Sequence, residues 1–134
     1  MTEKPMRRVT LTNLRTAAIR EDWDFVDAHL AGAANDPGVL DWSTQQGLTA
    51  KDGNLRDLAV SFLEKSTDEL RPETTKRLHE LFVDENPYVG FRSAFALFAH
   101  GDRSAEVIAK IHEAILDEDV KEIAEGYLSQ LETD

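Results

Sequence analysis

The sequence contains no cysteine. That removes disulfide frameworks, Cys-type zinc sites and thiol nucleophiles from consideration. Long apolar runs are missing too: no stretch approaches the roughly 18 apolar residues of a membrane span. The opening segment MTEKPMRRVTLTNLR has basic residues but no apolar run behind them. No secretory signal is therefore expected, and the expected location is the cytoplasm. Alternating β-branched and aromatic residues, which would mark strands, are almost absent. Chemistry-bearing motifs are equally scarce. There is no G-x-S-x-G elbow, and Gly47 and Gly53 are too sparse for a phosphate-binding loop. The four histidines are His29, His79, His100 and His112. His79-Glu80 and His112-Glu113 both lack the second histidine at i+4 that a zinc-binding helix needs. The expectation is a protein without catalytic site, metal or cofactor.

What the sequence has in excess is negative charge. It carries 15 Lys+Arg against 26 Asp+Glu, a formal net charge of −11. The first 20 residues hold five basic residues (Lys4, Arg7, Arg8, Arg15, Arg20) and one acid, Glu3, for +4. The other 114 residues hold 10 basic and 25 acidic residues, for −15. Nucleic-acid binding relies on clustered Lys and Arg that displace counterions from phosphate. This body would repel a polyanion, and a basic protein is the easier partner. Acidity also serves solubility alone.

With 134 residues the chain is long enough for one self-sufficient domain. Helical periodicity dominates, and proline and glycine fall at boundaries. Asp36-Pro37, Arg71-Pro72 and Asn86-Pro87 read as helix starts, Gly101 as a helix end, and Ser104 as a cap. Asn54 with Asp57 resembles a capping box. These signals predict an all-α fold of about eight helices, near 11–20, 22–32, 37–47, 54–65, 72–84, 87–100, 104–116 and 119–131. Short linkers make neighbours antiparallel.

Three of these helices align without gaps: NLRDLAVSFL (54–63), YVGFRSAFAL (88–97) and DVKEIAEGYL (119–128). Leu55, Val89 and Val120 share the first apolar position. Four residues on stand Ala59, Ser93 and Ala124, and eight residues on Leu63, Leu97 and Leu128. A small residue between two large ones lets a helix pack closely at mid-length and anchor at both ends. The origins lie 34 and 31 residues apart, and an amphipathic helix precedes each of the last two segments. Two helices per unit at this period point to an α-solenoid. Residues 81–97, LFVDENPYVGFRSAFAL, resemble the HEAT repeat through Asp84, Pro87, Val89, Ala94, Ala96 and Leu97. Gly90 departs from the arginine common in such units, whereas Arg56 and Lys121 keep a cation there. The resemblance covers residues 50–131 and leaves 1–49 as divergent N-terminal helices of the same domain. It implies a right-handed α-solenoid of antiparallel helix pairs. It also implies the usual work of that family, scaffolding and protein binding, with nucleic-acid binding or bilin lyase activity in some members.

The helix over 87–100 has a second feature. Phe91, Phe95 and Phe98 fall roughly 180–240° round from Val89 at 100° per residue, opposite the repeat's core stripe. The equivalent positions on the flanking helices are polar: Asp57, Ser61 and Glu64, then Glu122, Gly126 and Ser129. Three such rings could expose on the order of 300–500 Å², more than a soluble monomer usually leaves bare. Either the N-terminal helices, with Leu11, Leu14 and Trp23, cover the stripe, or it receives a partner or a second copy of the chain. The reading leans to burial for Phe95 and Phe98 and to exposure for Phe91, nearer the turn. Trp23 and Trp42 are expected in the core. Arg92, beside the stripe, is expected to pair with an acid of a neighbouring unit or to contact a ligand. The candidate partner-binding residues are thus Phe91, Arg92, Phe95 and Phe98.

The resulting expectation is a non-enzymatic protein-interaction module that binds a protein partner, a basic one fitting the charge, through its second helices. The alternatives are an acidic antitoxin- or immunity-like protein that neutralises a basic partner, and an enzyme or lyase-like helper using the same groove. The charge argument has a direct check. DNA and RNA should not bind with micromolar affinity at about 0.15 M salt, because the phosphate contribution is repulsive. A filter-binding or anisotropy titration showing micromolar binding there would contradict it.

Overall fold

The computed structural model describes residues 9–133, with side chains to residue 131. The basic residues Lys4, Arg7 and Arg8 and the acid Glu3 lie outside the described residues. The described chain is all-helical, without a strand. Its α-helices are α1 (Leu11–Ile19), α2 (Trp23–Ala33), α3 (Pro37–Gln45), α4 (Gly53–Lys65), α5 (Pro72–Glu80), α6 (Pro87–Ala99), α7 (Ala105–Ala114) and α8 (Lys121–Thr133). Short 3-10 turns follow α3 (Gly47–Thr49) and α5 (Leu81–Val83). None of the described helices is long and apolar enough to cross a membrane.

Local sequence explains the helix ends. Asp36 caps α3 by accepting from the N–H groups of Gly38 and Val39, with Pro37 behind it. Asn86 caps α6 by accepting from Tyr88 N–H, ahead of Pro87. Gly101 takes φ +97° beyond α6, the left-handed conformation that glycine adopts without steric cost. Two caps differ from expectation. Asp52 caps α4, accepting from Asn54 and Leu55 N–H, so Asn54 lies inside the helix. Ser104 holds the capping position of α7, but its side chain makes no capping bond. Asp102 Oδ1 accepts from Ser104 N–H instead, at 2.9 Å.

Two helices form the centre. Helices α1, α2 and α3 pack on α4, α4 packs on α6, and α5, α7 and α8 pack on α6. The small residues of the repeat, Ala59, Ser93 and Ala124, are all fully buried. Ser93 avoids an orphaned hydroxyl by donating to Val89 O at 2.7 Å. Trp42 is buried edge-on to Phe62, ring centroids 6.4 Å apart, whereas Trp23 is only partly buried against the core. A polar joint ties the start of α4 to the turn before α6. The Arg56 guanidinium donates from Nε and Nη2 to the two carboxylate oxygens of Asp84, at 2.9 and 3.0 Å. Its Nη1 donates to Ala50 O and Lys51 O at 2.7 and 2.9 Å. Gly90, one helix on from Arg56, has a steric reason. A Cβ there would lie 2.9 Å from Phe82 O and 3.4 Å from Leu81 O, so the start of α6 abuts the preceding 3-10 turn.

The phenylalanine stripe is interior, which corrects the expectation for Phe91 and removes the aromatic docking surface. Phe91, Phe95 and Phe98 are 7%, 0% and 1% exposed. The ring contacts come from α7, α8 and the turn between α6 and α7. Tyr127 of α8 stacks on Phe95 and meets Phe98 edge-on, with centroids 5.4 and 5.5 Å away. The Lys110 ammonium of α7 lies 5.2 Å from the Phe91 ring centroid, and Arg103 lies 3.6 Å from that of Phe98. A helix with neighbours on both sides must be apolar on both sides. Neither a partner nor a homodimer can use these rings while α7 and α8 stay in place.

Phe95→Ala should therefore leave a cavity and cost about 3–5 kcal/mol of stability, read as a lowered midpoint in a denaturant titration. A loss within about 0.5 kcal/mol, typical of a surface position, would contradict the burial.

Candidate functional site

Residues 57, 61 and 64 stand at i, i+4 and i+7 on α4 and so share one face. The sequence suggested a polar outer surface there, yet Asp57, Ser61 and Glu64 are only 5%, 5% and 7% exposed. Burying carboxylates is unfavourable unless partners compensate. Asp57 Oδ1 forms an ion pair with Arg92 Nε of α6 at 2.8 Å and accepts from Ser61 Oγ at 3.4 Å. Glu64 accepts a short hydrogen bond from the Tyr127 hydroxyl of α8. Arg92 thus pairs with an acid of the neighbouring helix, one of the two roles the sequence allowed it.

These contacts set the electrostatics. Burial pushes the Asp57 carboxyl above its ordinary value; Arg92 and Ser61 oppose the rise, while Asp27 and Glu64 reinforce it. The Tyr127 phenol is pushed well above its usual range by burial and by the Glu64 carboxylate. At the edge of the site, the Tyr88 hydroxyl donates to Asp119 Oδ2 at 2.5 Å. That bond lifts the Tyr88 phenol to about 12.

Above this row lies an open groove of about 780 Å³. Helix α2 contributes Asp27, Leu30 and Ala31, and α8 contributes Glu122, Ile123, Gly126, Tyr127 and Gln130. Glu64 and Lys65 of α4, Arg92 of α6 and Asp119 lie between them. Four carboxylates thus line the groove against two cations, and Asp57 already engages one of those, Arg92. Ile123 keeps 38% of its surface exposed here.

Of the four residues singled out from sequence, only Arg92 lines the groove; Phe95 and Phe98 lie beneath Tyr127. Sequence reasoning passed over Asp27, Glu64 and Tyr127. The available signal was the polar triplet 57, 61 and 64, which was read as solvated. Two of the histidines have polar partners. His79 lies 3.2 Å from Asp102 and 3.5 Å from Glu106, and His100 Nε2 lies 2.7 Å from Leu63 O. Among the described residues no group of three or more His, Asp or Glu side chains is placed to hold a metal ion. What the arrangement offers chemically is a partly apolar trough with an excess of carboxylate. Compared with protein-family models, curated proteins and solved structures, the chain finds no match.

Asp57 gives this site a pH signature. A carboxyl whose folded-state value is raised takes up a proton on folding between the unfolded and folded values. Its contribution to stability is greatest at low pH and is lost as pH rises through the folded value. Asp57→Asn removes that titration. The stability of the variant relative to the parent should therefore increase from about pH 4 to about pH 7, as measured by paired denaturant titrations. A difference that stays flat or decreases over this interval would contradict the raised Asp57 value.

Proposed function

We propose that this chain is a non-enzymatic protein-interaction module. In this reading it is a small HEAT-like, right-handed α-solenoid of antiparallel helix pairs. Its groove, formed by the second helices α4, α6 and α8 together with α2, takes up a basic segment of a partner protein. The repeat at 54–63, 88–97 and 119–128 supports the solenoid reading, as does the packing of α4 on α6 and α6 on α8. The Arg56–Asp84 joint between successive units supports it further.

The observation that carries the functional reading is the charge of the groove. Four carboxylates line it against two cations, one already held by Asp57. A carboxylate-rich trough attracts a cationic segment over the range of a Debye length and discriminates against acidic ones. The exposed flank of Ile123 and the side chain of Leu30 add apolar surface on which aliphatic stems can rest. The reading needs no cofactor and is consistent with a cytoplasmic setting. An antitoxin- or immunity-like protein would use the same surface; it differs only in what happens to the partner.

A fluorescein-labelled twelve-residue peptide alternating arginine with glycine and alanine serves as the probe. It should bind at about 0.15 M salt and weaken as salt rises, while a glutamate counterpart should not bind. Amide shifts in ¹⁵N spectra should cluster at Glu64, Ile123 and Gly126. Absence of binding, or shifts confined to another face, would contradict the proposal.

A further inference from the structure

Two observations within the groove concern its floor and one wall. The first is Gly126, in the interior of α8. Glycine is among the poorest helix formers, so its presence inside a helix calls for a turn or a close contact. Gly126 has neither: its φ is not positive, and a Cβ built there meets nothing within 4 Å beyond its chain neighbours and the backbone of its own helix. It is exposed and is one of the residues that line the groove.

The second observation is Glu64. As a residue it is only 7% exposed, and the hydrogen-bond partner of its carboxylate is a neutral hydroxyl, that of Tyr127, the residue next to Gly126. Among the described residues no ion pair reaches Glu64, and Arg92, which lines the same groove, pairs through its Nε with Asp57. A buried carboxylate without a counter-charge is electrostatically unfavourable, and a cation placed against it relieves that cost. Tyr127 donates to Oε2, which leaves Oε1 and a remaining lone pair of Oε2 open to further donors.

We infer that the slot between Glu64, Tyr127 and Gly126 receives one arginine side chain of the partner. Its guanidinium meets the Glu64 carboxylate, and its stem passes over Gly126 against Ile123. Arginine suits the slot better than lysine. Its planar fork delivers two parallel N–H donors to a carboxylate, and it is shed of water more readily than a compact ammonium. The inference rests on the proposed groove reading and adds the anchoring residue to it.

The test uses the labelled arginine peptide, its lysine and citrulline versions, and three variants of the full chain. Glu64→Gln keeps the shape and an acceptor for Tyr127 but removes the charge. Gly126→Leu adds bulk where a Cβ meets no other part of the chain and should keep or raise the melting temperature. Asp41→Asn, on α3 and outside the groove, removes the same charge elsewhere. The inference expects the arginine peptide to bind more tightly than the lysine peptide and the citrulline peptide to fail. It also expects Glu64→Gln and Gly126→Leu each to weaken binding about tenfold or more, while Asp41→Asn binds as the parent does. If the arginine peptide binds parent and both groove variants alike, the slot is wrong and the basic-segment reading stands. Equal binding of the lysine peptide overturns the choice of arginine. If no basic peptide binds the parent, the slot and the groove reading both fail.

Discussion

The structure depends on the need of α6 to be buried on two opposite faces. Its core stripe, Val89, Ser93, Ala96 and Leu97, and its opposite face, Phe91, Phe95 and Phe98, are both removed from water. One helix cannot cover both, so α4 takes one flank while α7 and α8 close the other. At about 25 cal/mol per Å², three buried rings supply a large share of the drive that brings α7 and α8 onto the rest of the chain.

That same closure creates the groove. To stack on Phe95 and Phe98, Tyr127 must turn its ring inward, and its hydroxyl then reaches the Glu64 carboxylate of α4. Arg92, on the flank of α6 between its apolar faces, reaches across to Asp57. The polar row of α4 is therefore met by polar side chains that the aromatic packing positions. Helix α8 touches α6 while α2 packs on α4, so a trough remains open between α2 and α8. The site is thus a by-product of core formation, furnished with carboxylates from three helices.

Much of this was legible in the sequence. The eight helices follow from apolar periodicity and from prolines at 37, 72 and 87, which fix helix starts. The small residues Ala59, Ser93 and Ala124 announced close packing, and they are buried. What misled was the inference from neighbours. Asp57, Ser61 and Glu64 look like a solvated face, and by analogy the matching Phe91 reads as exposed, whereas Phe95 and Phe98, read as leaning to burial, are buried. Packing partners decide otherwise. Helix α6 has packed helices on two sides, whereas Glu122 and Ser129 of α8 are exposed. Which acids are buried could not be read without knowing that Tyr127 and Arg92 reach back to α4. Those contacts join residues 63 and 35 positions apart, and no local pattern encodes them.

The most direct test of the account is the solvent accessibility of the three rings of α6. The chain can be produced with 4-fluorophenylalanine at its six phenylalanines, with resonances assigned by single Phe→Leu replacements. A soluble paramagnetic agent is then added and ¹⁹F relaxation recorded. The account predicts that the resonances of Phe91, Phe95 and Phe98 broaden no more than that of Phe62, which is fully buried. If the Phe95 and Phe98 signals instead broaden as freely as those of a solvent-exposed ring, α8 does not close this face, and the groove built on its closure does not exist.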